Sequence, residues 1–413
     1  MTVSGEVSGE IGGRNHFTDF DLDSTEFSEN FEAVASAVHQ GCPVARSEAQ
    51  GGYWVVSGFD DLRAVGQDWQ TWTNTDGYEP HRSGTDDARL YPLEIDPPYQ
   101  TRWRTKLGDY FSPRAIRANK ESIRHHVNYQ FDQFIERGSC DWVDAFAAHL
   151  PGRVFFSTML QVPLEDLPYL QAAADHAVRG PVASRGDGWN KVGAYLDSYL
   201  KLRREEPPRG DFVDAVLEGV ATDDGEPAPW HHKIFVMVDM LAGGLATTTF
   251  LLAGIAHFLA THPQERERLI AEPSLRPGAV EEVIRIYSSV LALGRTATKD
   301  TEIAGQRIKK GEMVMLAYAL AARDPKYFAD PHELVIDRKI PMNPAFGYGP
   351  HRCIGSHLAR LQALTTMEEM LRRLPDIRLP AGQAPTFFHS TVTRDMLTLP
   401  VEFTAGAKEG ACS

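Results

Sequence analysis

The chain is poor in cysteine. Its 413 residues hold four, Cys42, Cys140, Cys353 and Cys412, and no two share the spacing of a zinc site or a disulfide framework. That scarcity suits a reducing cytoplasm, and cytoplasmic residence is expected. Lys/Arg tracts are missing and the formal net charge is −14, which argues against a nucleic-acid partner. The opening MTVSGEVSGEIGGRNHF lacks the basic and apolar regions of a secretory signal, so neither leader nor membrane anchor is expected. Internal repeats and low-complexity linkers are also lacking. Only Met240–Ala256, 17 residues without a charge, approaches the length of a membrane span. It is bounded by Asp239 and His257 and interrupted by three threonines, with no basic cluster beside it. A helix buried on all sides by protein accounts for the same pattern, and that is the reading adopted.

Of what is present, residues 346–355, FGYGPHRCIG, are the most informative. Cys353 sits among three glycines, and the GSHLARLQALTTMEEMLRRL that follows has helical apolar spacing at Leu358, Leu361, Leu364, Leu371 and Leu374. A thiol just ahead of a helix N-terminus lies where unpaired N–H groups and the macrodipole favour an anion. Thiolate is the form that ligates metal. Gly347, Gly349 and Gly355 allow backbone to close around the sulfur. A single axial thiolate on haem iron needs such a loop. The competing reading is an inert buried cysteine.

With Phe346, Gly349, His351, Cys353 and Gly355 all in place, the loop resembles that of the cytochrome P-450 family of haem-thiolate monooxygenases. Other landmarks fall in the family's order. Glu282 and Arg285 form an E-x-x-R on one helix face, a ready ion pair with Arg338 as the expected third member, structural rather than chemical. Asp96-Pro97-Pro98 through Arg104 resembles the start of the family's propionate-binding helix, with Gln100 where histidine is commonest. By the resemblance Arg104, Arg295 and His351 hold the haem propionates, Gln100 and Phe346 contact the cofactor, and Cys353 ligates iron. The cofactor implied is haem b.

The apolar helix carries Ala242-Gly243-Gly244-Leu245-Ala246-Thr247. Mid-helix glycines cost roughly 1 kcal/mol each, so they imply close approach of something bulky or a widened helix. In the family a threonine here donates a hydrogen bond to bound dioxygen, and an acid precedes it. Thr247 matches; the acid's position is Ala246. Thr247 has a simpler reading too, a hydroxyl bonded to a carbonyl one turn back. Without the acid three routes stay open: a monooxygenase with rewired proton delivery, a peroxide-using peroxygenase, or a haem protein that binds ligand without turnover. The first is preferred.

The expected fold is mainly α with small β-sheets, the family's α+β fold with a long central helix over haem. Residues 1–25 are expected to be poorly ordered and 26–413 to form one haem-binding catalytic domain. Helices are expected near 114–137, 141–161, 165–177, 189–205, 229–262, 263–272, 277–288 and 355–374. Strands are expected at Tyr53–Val56, Glu302–Ile308, Met313–Ala317 and Leu397–Phe403. The resemblance to the camphor-hydroxylating branch implies a small apolar substrate, terpenoid or aromatic, and a monomer fed electrons by a separate ferredoxin and ferredoxin reductase. The docking patch would include Arg102, Lys106 and Arg352. Tyr78–Ile95, Leu241, Gly244, Leu245, Leu291, Leu293, Val392 and Thr393 are expected around the substrate.

Overall fold

The computed structural model describes residues 8–80, 89–179 and 184–410. Helices dominate and the sheets are small, as expected. The longest helix, Trp230–Thr261, ends within one residue of its sequence-based limits at each end. Its length and hydropathy would suit a membrane span, but half of its most apolar window is buried in protein. It packs against Arg185–Glu205, Leu150–Val154 and the helix that follows the cysteine, Ser356–Arg373. An aromatic cluster lies alongside. Trp142 and Phe146 have ring centroids 4.6 Å apart, and the Trp142 indole N–H donates to the Leu252 carbonyl.

The principal sheet has five strands in the order Val44–Ser47, Tyr53–Val56, Met313–Leu316, Leu293–Ala297, Trp72–Thr73. Only the pairing of Met313–Leu316 with Tyr53–Val56 is parallel, with Val314 opposite Trp54. The register of the next pair sets Arg295 opposite Val314. The expected single strand over 302–308 is a hairpin, Thr301–Ile303 and Gln306–Ile308, turning at Ala304-Gly305.

Several expectations need correction. Residues 8–25 are not unstructured: Glu10–Ile11 pairs with Arg14–Asn15, and His16, Phe20 and Leu22 are fully buried. The polar, glycine-rich composition concealed two aromatic anchors, Phe20 and Phe27, whose rings meet edge to face at 5.0 Å. Residues 1–7 lie outside the described residues. The segment 141–161 is helical but not one α-helix. Wider π turns at Val143–Ala147 and Phe155–Leu160 flank Leu150–Val154, where Pro151 supplies no N–H to a regular ladder. The helix Phe212–Glu218 was not anticipated. Its seven residues are too few for periodicity to register, and it is set by an Asp211 cap on the Asp214 N–H.

The E-x-x-R pair is fully enclosed. Arg285 and Glu282 meet at 2.7 Å with both side chains at 0% exposure, and Arg338 joins Glu282 at 2.8 Å. The remaining Arg285 donors reach the carbonyls of Ala322, Pro331 and Glu333, and the Val335 N–H donates to Glu282. Burial pushes the Glu282 carboxyl up, but the Arg285 hydrogen bonds and charge, the Val335 N–H and Arg338 outweigh it and hold it below its ordinary 4.5. Its stabilisation is therefore present above that value and is lost as pH falls through the lower folded-state value. Replacing Glu282 by Gln strands a buried guanidinium, and urea unfolding should show a loss of about 3–5 kcal/mol. An unchanged midpoint would show that Arg285 is content with its carbonyls.

Candidate active site

A cavity of 1380 Å³ lies between the long helix and the cysteine loop. Among the residues around it are Cys353, Phe346, His351, Arg104, Ala246 and Thr247, brought together from segments more than 240 positions apart in the chain. The loop is built by backbone contacts. The Cys353 N–H donates to the Phe346 carbonyl at 2.8 Å, and the Gly349–His351 turn precedes the helix at Ser356. Gly349 has φ +69°, and a Cβ there would lie 2.1 Å from the Gly66 carbonyl oxygen. The helix Phe59–Gln67 thus presses its last turn onto the loop. Of the three glycines, Gly349 makes room for that helix rather than for the sulfur. Gly355 is the one whose N–H serves the thiol.

The sulfur is accessible to the cavity although it lies deep in the protein. Burial pushes the Cys353 thiol up; the Gly355 N–H and the charges of Arg104, Arg352 and Arg360 pull the other way and do not overcome it. The expected bias toward thiolate is thus not met by the protein alone. A cation at the sulfur would supply the missing compensation.

Arg104 and Arg295 form a positive group beside His351. His351 is driven well below its usual pKa by burial, then by Arg295 and Arg104, and its Nε2 has no hydrogen-bond partner. Among the described residues no carboxylate pairs with either arginine. A buried cationic group short of anions, beside an unpaired imidazole nitrogen and a cavity-facing thiol, fits a dicarboxylate ligand carrying a thiophilic metal. Arg295, buried against Tyr318, stands behind the cavity wall rather than in it. Gln100 is not at the cavity either: its amide donates to the Pro350 carbonyl at 2.7 Å, so it braces the cysteine loop.

On the long helix, Thr247 Oγ1 donates to the Gly243 carbonyl at 2.7 Å, the simpler of its two readings in this state. Gly243 and Gly244 meet nothing within 4 Å where a Cβ would stand, because the space beside them is the cavity. Gly244, Leu245, Leu293, Val392 and Thr393 line it. Leu241 and Leu291 do not. Both are fully buried in side-chain clusters, Leu241 on the helix face away from Met240 and Gly243, and Leu291 beneath the sheet with Met315. From Tyr78–Ile95, the residues Tyr78, Glu79, Leu90, Pro92 and Leu93 line the cavity, and 81–88 lie outside the described residues. Asp239 also lines it and was read only as the end of an apolar run. Its place seven residues before Ala246 was the available signal, since i and i+7 share a helix face. On the outer surface Arg102 and Lys106 are ion-paired with Asp223 and Glu218, so the expected docking patch is partly neutralised.

Comparison with known proteins agrees with this geometry. The cytochrome P-450 family model matches residues 185–403. The steroid C26-monooxygenase of Mycolicibacterium smegmatis is 30% identical over 349 residues, covering 82% of this chain and 84% of that one. The pentalenic acid synthase of Streptomyces avermitilis is 30% identical over 379 residues, covering 88% and 92%. Among solved structures, CYP101C1 superimposes with a TM-score of 0.85 at 26% identity, covering 98% of this chain and all of that one. A thiol-bearing loop under a long helix thus defines a haem-thiolate oxygenase. The chain belongs to the cytochrome P-450 family, and it is a monooxygenase whose cofactor is haem b.

The Gly349 contact leaves no room for a side chain. Gly349→Ala adds a Cβ against backbone at a left-handed φ and should lower stability by about 1–3 kcal/mol. Thermal unfolding of the haem-loaded protein should show the shift, and parent-like unfolding would mean that the loop docks with slack.

Proposed function

We propose that the enzyme oxidises a small, mostly apolar organic substrate, with dioxygen as oxidant and electrons from a ferredoxin and its reductase in the cytoplasm. The observation that supports it most is the joint lining of one cavity by Cys353, His351, Arg104 and Thr247. In this reading Cys353 would be the iron ligand, Arg104 and, from behind, Arg295 would neutralise the propionates, and the unpartnered His351 Nε2 would hydrogen-bond to one of them. Phe346, which lines the cavity with Cys353 and is steadied by the Arg360 guanidinium 4.3 Å over its face, would contact the cofactor. Haem supplies the oxygen-activating chemistry when bound. Thr247 turns its hydroxyl from the Gly243 carbonyl into the cavity, where it holds and passes a proton. Ala246 leaves room for water at the position of the family's acid. Leu245, Leu293 and Val392 exclude bulk water and orient the substrate.

The electron carrier docks on the cysteine side. No carboxylate among the described residues pairs with Arg63, Arg117 or Arg352, and Arg63 and Arg117 are exposed. Arg352 acts electrostatically with Arg63 at Tyr348 and with Arg117 at His357, so the three border the same loop. On a chain of net charge −14 such a patch steers an acidic partner. Turnover should then fall steeply as the Debye length shrinks from about 30 to 10 Å. A flat salt response would rule out electrostatic docking there.

The iron assignment is tested by spectroscopy. Reduced, carbon-monoxide-treated protein should show the red-shifted Soret band of thiolate ligation, and Cys353→Ala should abolish it; retention in the variant overturns the assignment. For proton delivery, Thr247→Ala should lower product per NAD(P)H and raise hydrogen peroxide per dioxygen consumed, because the hydroxyl that passes the proton is gone. Unchanged ratios would leave Thr247 as a helix residue only. Peroxide supporting turnover as well as dioxygen and a reductase would favour the peroxygenase instead.

A further inference from the structure

The cavity wall holds a carboxyl group that the oxygenase reading does not use. Asp239 is 6% exposed and lies within the long helix, two turns before Ala246. The Leu93 N–H donates to its Oδ2 at 3.3 Å, and no other donor among the described residues reaches the group. It is nonetheless part of the cavity lining. One further carboxyl group, Glu94, acts on it directly, and a second, Glu79, shares its cavity. Glu79 lines the same cavity beside Tyr78, and Tyr78 feels the charges of Glu79, Glu94 and Asp239 together. Glu94, from the segment before the Tyr99–Gly108 helix, acts on both Asp239 and Glu79. The cation acting on Asp239 is Arg104, which also donates to the Arg352 carbonyl of the cysteine loop.

That environment makes ionised Asp239 expensive. Burial, then the Glu94 charge, push its carboxyl up to about 8 against the Leu93 hydrogen bond and Arg104. A buried carboxyl of this kind is stable either protonated or paired with a cation. Leu90, Pro92, Leu93, Met240 and Leu245 add hydrocarbon to the lining. Among the described residues no side-chain cation closes an ion pair with Asp239, and Arg104, which acts on it, faces the propionates in the haem reading on which this inference rests.

We propose that the substrate carries a positively charged nitrogen, protonated or quaternary, on an otherwise apolar skeleton, and that Asp239 is its counter-ion. Glu79 adds to the negative potential on the same wall. The pairing fixes one end of the substrate two helical turns from Thr247, about 11–12 Å along the axis at 1.5 Å per residue, so the carbon presented for oxidation lies at a distance from the nitrogen.

A matched pair of probes tests this: benzyltrimethylammonium and its uncharged carbon isostere neopentylbenzene. The quaternary nitrogen has no lone pair with which to bind iron. Affinities are measured by calorimetry on haem-loaded wild type, Asp239→Asn and Asp239→Glu. The Asn variant should weaken the cation at least about tenfold, the scale of one lost charge-assisted contact, and leave the isostere within about twofold. The Glu variant, which keeps the charge, should retain most of the cation's affinity. Equal losses for both probes in the Asn variant, or no binding of the cation by wild type, would overturn the proposal. If Asp239→Asn does not load haem, Asp239→Ser is judged by the same pair. The carbon-monoxide band of wild type separates the two ideas: its absence refutes the haem-thiolate assignment, whereas a normal band with no charge discrimination refutes only the counter-ion.

Discussion

Glu282 and Arg285 are two opposite charges removed entirely from water, a costly arrangement unless every donor and acceptor is matched. Here they are matched, and the matching ties distant segments together. Arg285 gathers the carbonyls of Ala322, Pro331 and Glu333, and Glu282 takes Arg338 and the Val335 N–H. The neighbouring Glu281 turns the other way, to Arg360 on the helix after the cysteine, and its carbonyl accepts from Asn343 at the start of the loop. Glu281 therefore holds both ends of the cysteine loop, and Glu282 anchors the segment that leads into it. The sulfur's position relative to the long helix follows from that anchorage and from the close seat of Gly349 on Gly66.

Much of this was legible because the residues concerned have few alternatives. An apolar run bounded by charges can only be a buried helix or a span, and its limits came out within a residue. The decapeptide around Cys353 constrains backbone and chemistry together. What escaped depended on tertiary packing. Leu241 and Leu291 look like pocket residues by proximity to Gly243 and Leu293, yet each turns into a core cluster. Phe20 and Leu22 hide in a polar stretch, and the Phe212–Glu218 helix is held by Asp211 and Asp214 around the buried Arg203, a contact no local pattern reveals.

The thiol is the sharpest case of local logic losing to burial. Helix start, glycine N–H groups and nearby guanidiniums are all expected to favour an anion at Cys353, and the Gly355 N–H and the guanidiniums of Arg104, Arg352 and Arg360 do act in that direction. Enclosure is still the larger effect. The loop is arranged to stabilise a thiolate without being sufficient to create one, so the charge of a bound metal completes the balance. The same deficit in opposite sign marks Arg104 and Arg295, beside His351. These two local imbalances cancel against one ligand that is cationic at its centre and anionic at its edge.

Gly243 and Gly244 give the cavity wall a stretch of naked backbone with open space where side chains would project. Most lining positions can be altered in either direction, by a smaller residue or a larger one. These two cannot. Every substitution there subtracts volume beside Thr247, and none adds it. In the enzyme's descendants, substrate size at these two points can only ratchet downward, and any widening of this part of the wall must come from neighbouring side chains such as Met240 and Leu245.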